Sequence, residues 1–302
     1  MKFSTKAIHV GQTPDKETGA MVPPIYMTST YIQEEPGVTK GYDYTRAGNP
    51  NYTNLEATLA ALEQGTYATV FSSGLAAMHG AISMLTAGDD VLAVDDLYGG
   101  TYRLFKQVFE KFGISFRQIS FKDTEEIERE IRPNTKLLML ETPSNPLLKI
   151  VDIAQVTQIA KRRGVLTMVD NTFASPYFQQ PLTLGADMVL HSGTKYLGGH
   201  SDLISGAVIT NDEVLGQKLQ FARKAIGGNP SPFDVWLISR SLKTLEVRME
   251  AHQKNAFAVA RFLSDHPKVK TVFYPGLPSH PDHEIARKQM KGFSGIVSVS
   301  FN

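Results

Sequence analysis

The chain has 302 residues, 42% of them hydrophobic, with 31 Lys and Arg set against 30 Asp and Glu for a formal net charge of +1. Such a length buries a large core as one big domain or two smaller ones, and the balanced charge offers no field to collect nucleic acid or anionic lipid. The absence of cysteine excludes disulfides, thiolate metal sites and a cysteine nucleophile. The N-terminus, Met1-Lys2-Phe3-Ser4, has no apolar signal core and no run approaches the length of a membrane-spanning helix. The expected setting is therefore cytoplasmic, with neither nucleic acid nor membrane as a partner.

Residues 1–52 are rich in Pro, Gly, Thr and Tyr and read as an extended arm, with turns at Pro23-Pro24 and Gly48-Asn49-Pro50. Leu55, Leu59 and Leu62 share one face and predict a short helix over 54–62. Strand and helix signals then alternate. Strands are expected at 69–71, 91–94, 114–119, 136–140, 165–169, 188–190 and 207–209, with helices at 73–87, 101–112, 123–131 and 152–163. This alternation with short joints predicts an α/β fold with a mostly parallel central sheet and helices on both faces. Ligands bind such sheets at the carboxyl ends of the strands. Ser72-Ser73, Asp95-Asp96, Glu141 and Asp170-Asn171 all fall there.

Beyond Asp212 the pattern turns to long helices. Leu242, Leu245, Met249, Ala256, Val259 and Leu263 keep a helical spacing and predict one helix over 233–264 that joins two domains. A strand over 269–274 and a short helix near 285–290 follow. The final alternating run, 295–302, has nothing after it to pack on and reads as a second α/β domain cut short.

The chemistry concentrates in Ser192-Gly193-Thr194-Lys195-Tyr196-Leu197-Gly198-Gly199, directly after the apolar run Met188-Val189-Leu190. The Lys195 amine can form a Schiff base with a carbonyl while Ser192 and Thr194 hold an anion beside it. An ordinary exposed loop lysine is the competing reading. Ser73-Gly74-Leu75 follows a strand and opens a helix, so its free amides can cup an anion, although simple N-capping by serine would look the same. Asp170 ends an apolar strand and can either pair with a protonated pyridine nitrogen or cap the next turn. Tyr98, before Gly99-Gly100, can stack on a flat ring or merely pack its turn. Asn145 can hydrogen-bond a ring hydroxyl, and Tyr44 with Arg46 suits a phosphate. The eight histidines show no metal-ligand spacing.

Together these motifs resemble the pyridoxal-phosphate enzymes of cysteine and methionine metabolism, the trans-sulfuration group, over essentially all 302 residues. The segment from Asp187 to Ser201 fits the family's cofactor-lysine signature at each position. The resemblance implies a fold-type-I, aspartate-aminotransferase-like architecture: an N-terminal arm over 1–52, a large cofactor-binding domain over 53–245 and the start of a C-terminal domain over 246–302. It implies pyridoxal 5'-phosphate held by Lys195, with Asp170 on its ring nitrogen and Tyr98 stacked on its ring and assisting proton transfer. Ser73, Gly74, Leu75, Ser192 and Thr194 would take the phosphate, with Asn145 completing the ring contacts. Tyr44 and Arg46 would reach the phosphate of a neighbouring subunit, in homodimers that pair into a homotetramer. Arg103 and Tyr44 would bind the amino-acid substrate.

Two departures from the pattern stand out. Asn51-Tyr52 replaces the Thr-Arg that usually follows Gly-Asn-Pro, which predicts local repacking. The family's serine-containing loop and its substrate-carboxylate arginine lie beyond residue 302. Ala7-Ile8-His9-Val10-Gly11, Pro230-Ser231-Pro232 and Tyr274-Pro275-Gly276-Leu277 look most like cystathionine γ-lyases. The expected reaction is γ-elimination on cystathionine, with γ-synthase chemistry or a catalytically incomplete cofactor-binding fragment as the alternatives.

Overall fold

A computed structural model describes residues 1–302. Helix α1 (Phe3–His9) forms where the sequence reads as extended arm. Its cap has no side-chain hydrogen bond, so local signals do not announce it. Tertiary contacts support it: Ala7 is buried, Lys6 Nζ reaches the Ala61 carbonyl at 3.1 Å, and Thr58 donates to the Val10 carbonyl at 2.7 Å. Helix α2 (Pro50–Glu63) starts earlier than its leucine face predicts. Asn49 caps it by accepting from the Asn51 amide, and Pro50 fits the first turn, whose missing N–H costs nothing there.

Strand β1 (Tyr67–Phe71) leads into α3 (Gly74–Ile82), which stops short of the predicted 87. Ser83 bonds back to the Gly80 carbonyl at 2.8 Å, and Asp89 closes the next turn on the Thr86 amide. Strand β2 (Asp90–Val94) precedes α4 (Gly99–Gln107), and a separate 3-10 turn (Phe109–Phe112) ends at Gly113 with φ 78°. Next come β3 (Ser115–Ile119), α5 (Thr124–Glu130), β4 (Thr135–Glu141), α6 (Ile153–Arg163) and β5 (Leu166–Asp170). The short α7 (Ser175–Phe178), β6 (Met188–Ser192), β7 (Gly206–Thr210) and α8 (Glu213–Ile226) follow.

The long helix expected over 233–264 is two helices, α9 (Pro232–Leu242) and α10 (Leu245–Ser264). Both the amide and the hydroxyl of Thr244 bond the Ser241 carbonyl, which tightens the chain into a turn between them. Strand β8 (Val269–Phe273), α11 (His283–Gln289) and β9 (Ser298–Phe301) complete the chain. The alternating run at 298–301 has its partner in what precedes it: β9 pairs antiparallel with β8, Val299 opposite Val272.

The backbone groups into two compact units, Met1–Met84 with Leu190–Leu245, and Leu85–Val189 with Glu246–Asn302. In the first, β1 pairs antiparallel with β7, Tyr67 opposite Thr210. Asn51 and Tyr52, where the family pattern is departed from, are both buried here. Asn51 exchanges hydrogen bonds with the arm at Pro24 and Tyr26, while buried Tyr52 donates to the Pro230 carbonyl and lies under the Arg223 guanidinium. In the second unit β3, β2, β4 and β5 lie side by side, all parallel. All five β2 residues are buried, the signature of an interior parallel strand.

One ion cluster ties the amino ends of β2 and β4 to the middle of β3. Fully buried Asp90 of β2 accepts two bonds from the Arg117 guanidinium of β3, at 3.0 and 2.8 Å, and one from the Thr135 hydroxyl of β4 at 2.7 Å. Burial alone would raise the Asp90 carboxyl, but the Arg117 and Thr135 donors overcome it and hold the group below its ordinary value. An acid depressed on folding adds stability above its unfolded pKa of about 3.9 and loses it as pH falls through the folded value. Arg117→Met should cost about 3–5 kcal/mol of stability by leaving a buried charge unpaired. Thermal unfolding checks this, and an unchanged melting temperature would show that the cluster does not bind the strands together.

Candidate functional site

The first unit builds an anion cup from three converging segments. Ser73 is extended (φ −162°, ψ 166°) and its Oγ accepts from the Ala76 amide at 3.0 Å, so it caps α3 as the competing reading expected. Capping leaves the amides of Gly74 and Leu75 at the open end of the helix, where helix geometry provides no internal acceptor. The dipole adds positive potential at the same place. A Cβ on Gly74 would lie 2.9 Å from Ser192 Cβ at the end of β6, and one on Gly206 would lie 2.1 Å from the Ser73 carbonyl oxygen. Glycine at both positions is what lets the helix start, the end of β6 and the start of β7 meet.

The loop that carries Lys195 is held by its own main chain. The Lys195 amide donates to the Ser192 carbonyl at 3.2 Å, Gly198 to Gly193 at 2.8 Å, and Gly199 to the Lys195 carbonyl at 2.7 Å. Thr194 Oγ1 accepts from the Ser205 amide at 3.2 Å, and Ser205 Oγ donates to the Phe71 carbonyl at 3.2 Å. The lysine side chain is exposed, and its Nζ takes part in no ion pair. Ser73, Gly74, Leu75, Ser192, Thr194 and Lys195 are thus brought together in this unit. Ser205 and Gly206, which hold the cup from below, escaped the sequence reading; a small polar pair ahead of an apolar strand was the available signal.

Tyr44 and Arg46 sit side by side on the arm, the guanidinium carbon 5.2 Å from the Tyr44 ring centroid. Arg46 Nη1 donates to the Lys224 carbonyl at the end of α8, at 3.0 Å. Both side chains are exposed.

The second unit sets its polar residues at the carboxyl ends of the parallel strands. Asp170 ends β5 and accepts from the Thr172 amide at 2.9 Å, so it does cap the following turn while remaining half-buried. Across the ladder it stands in register with Glu141, the last residue of β4. Glu141 is buried and accepts from the Tyr98 amide at 2.8 Å. Burial pushes the Glu141 carboxyl well above the usual carboxylate range; the Asp170 charge adds to the rise, and main-chain donors at Tyr98 and Asn145 oppose it. The Tyr98 side chain is 48% exposed. Its ring lies against Gly100, where an added Cβ would come within 2.2 Å of it. Asn145 is half-buried, and Arg103 is exposed on α4. The strand ends therefore bring Tyr98, Asn145 and Asp170 around Glu141, a residue to which the sequence alone gives no role.

With this geometry in view, the chain was compared with known proteins. A family model described as "Cys/Met metabolism PLP-dependent enzyme" matches residues 4–302. A probable cystathionine gamma-synthase of Herpetosiphon aurantiacus is 54% identical over 297 residues, covering 98% of this chain and 93% of that protein. The cystathionine gamma-lyase of Bacillus subtilis is 50% identical over 298 residues, covering 99% of this chain and 79% of its own length. Among solved structures, cystathionine gamma-lyase from Lactobacillus plantarum, complexed with L-serine, superposes with a TM-score of 0.98 at 45% identity, covering 100% of this chain and 79% of that one. The fold-type-I α/β architecture with its mostly parallel sheet is thereby shared over the whole chain.

The cup depends on the absence of a side chain at 206. Gly206→Ala should cost about 1–3 kcal/mol, because the new methyl meets main chain that cannot rotate away. A melting curve superimposable on that of the parent would contradict this.

Proposed function

Since the chain belongs to the PLP-dependent enzymes of cysteine and methionine metabolism, we propose that it catalyses γ-elimination on cystathionine, which with water gives cysteine, 2-oxobutanoate and ammonia. The observation that carries this reading is Lys195, set in a main-chain-closed turn on the loop after β6, whose end two glycines let approach the start of α3. The residues present fit pyridoxal 5'-phosphate. A side chain at Gly74 would press on Ser192 and push the end of β6 from the helix start, and the donors there are amides and hydroxyls suited to a phosphate dianion. When bound, the cofactor supplies a sink for the electron pair released at the substrate α-carbon.

In this reading Lys195 would hold the cofactor, and its amine would serve as the base for the substrate α-proton. Ser73, Gly74, Leu75, Ser192 and Thr194 hold the phosphate. Asp170 would keep the ring nitrogen protonated, because a carboxylate favours a neighbouring cation. Asn145 would bind the ring hydroxyl, while Tyr98 would hold the ring and assist proton transfer. Arg103 and Tyr44 bind the amino-acid substrate. Tyr44 and Arg46 complete the phosphate site of a second copy, in homodimers that pair into a tetramer. An arm over 1–52, a cofactor domain over 53–245 and a further domain beginning at 246 belong to the same reading, as does a cytoplasmic setting; no helix is long and apolar enough to cross a membrane.

A second reading, γ-replacement of an O-activated homoserine with cysteine, is favoured by the 54% identity to a probable cystathionine gamma-synthase. Incubation with cystathionine alone separates the two. Release of 2-oxobutanoate and ammonia supports elimination; no release, with cystathionine made from an activated homoserine and cysteine, selects replacement. Lys195→Ala should lower kcat by at least about 100-fold in either case, the scale of a lost general base. A variant with undiminished turnover would refute the assignment of Lys195.

A further inference from the structure

Glu141 is the charged residue that the proposed chemistry leaves unused, although it lies at the centre of the second unit's strand ends. We infer that Glu141 is a positioning residue that works as a neutral acid, anchoring the Tyr98 loop and leaving Asp170 as the one anion of the pair. This inference rests on the assignment of Asp170, Tyr98 and Asn145 to the cofactor.

The geometry supports it on three counts. Glu141 and Asp170 end neighbouring parallel strands in register, so their side chains leave the same face of the sheet. Two carboxyl groups so placed cannot both ionise at low cost, and the more deeply buried one keeps the proton. Glu141 is the more buried: it is 6% exposed, whereas Asp170 is partly open. The cations that line the cleft beside Glu141 are engaged elsewhere. Lys149 pairs with Asp95 at 2.9 Å and Lys122 with Asp282 at 3.3 Å. The remaining acid in that cleft, Asp96, accepts from the Ser144 hydroxyl at 2.5 Å. No cationic side chain lining that cleft is thus left to pair with an ionised Glu141, and the raised titration of its carboxyl agrees.

A neutral acid still makes the observed contact. Its oxygen accepts from the Tyr98 amide at 2.8 Å, which fixes the residue that opens α4. Glutamine has the same shape and a carbonyl oxygen for that contact.

The sign of the pH effect separates a neutral from an ionised role. A group whose pKa is raised on folding contributes fully below its unfolded value, about 4.3 for Glu, and loses that contribution as pH rises towards the folded value. The cofactor-loaded protein and its Glu141→Gln variant are melted from acid to mildly alkaline pH. Glu141→Gln should melt higher than the parent at neutral pH, by a margin that closes as pH falls through the range of unfolded glutamate. The parent should show a protonated-carboxyl infrared band at neutral pH that Glu141→Gln lacks, with kcat/KM within about threefold of the parent, below the scale of a catalytic loss. Glu141→Ala should perturb the visible absorbance of the cofactor, and Glu141→Gln should restore it. A Glu141→Gln variant that melts lower at neutral pH, or a parent without the band, would overturn the inference. Melting and infrared readouts do not require turnover, so failure of the elimination reading would leave this test standing.

Discussion

Everything proposed for the first unit depends on the approach of the α3 start to the ends of β6 and β7. Main chain meets main chain there: a methyl at 206 would sit 2.1 Å from the Ser73 carbonyl oxygen, and one at 74 would press on Ser192. Interiors pack too tightly to absorb such overlaps cheaply. The two glycines are therefore structural requirements before they are chemical ones. They place amide donors, the Thr194 hydroxyl and the Lys195 loop around one end of a helix whose dipole already favours an anion.

The second unit solves a different problem, that of keeping one carboxylate charged next to another. Register places Asp170 and Glu141 together, and burial differentiates them. Asp170 retains a main-chain donor in the Thr172 amide at 2.9 Å and an opening to its surroundings, both of which favour charge. Glu141 is enclosed and takes its contact from the loop at 98. The same strand-end location therefore yields two acids of unlike character.

Much of this was readable from residue order. Apolar runs such as Val91-Leu92-Ala93-Val94 and Leu166-Thr167-Met168-Val169 marked buried parallel strands, and the residue just past each run marked a carboxyl end. The lysine loop declared itself through its glycines and hydroxyls. What stayed hidden was set by tertiary contact. Helix α1 lacks a side-chain cap and depends on α2, and the break at Lys243-Thr244 interrupts an apolar spacing that continues across it. Glu141 looked like any polar strand end because its meaning comes from Asp170 on the next strand. Ser205 and Gly206 went unremarked because the segments they bring together lie far apart in sequence.

The Asp90–Arg117 cluster lies at the amino ends of β2 and β4, opposite the ends that carry Tyr98, Glu141 and Asp170. Cohesion and chemistry are thus lodged at opposite poles of the parallel sheet. Loops at the reactive pole can change length or lining without disturbing the lock that holds the strands in step. Such a separation lets variation at one pole accumulate while the strand order at the other stays fixed.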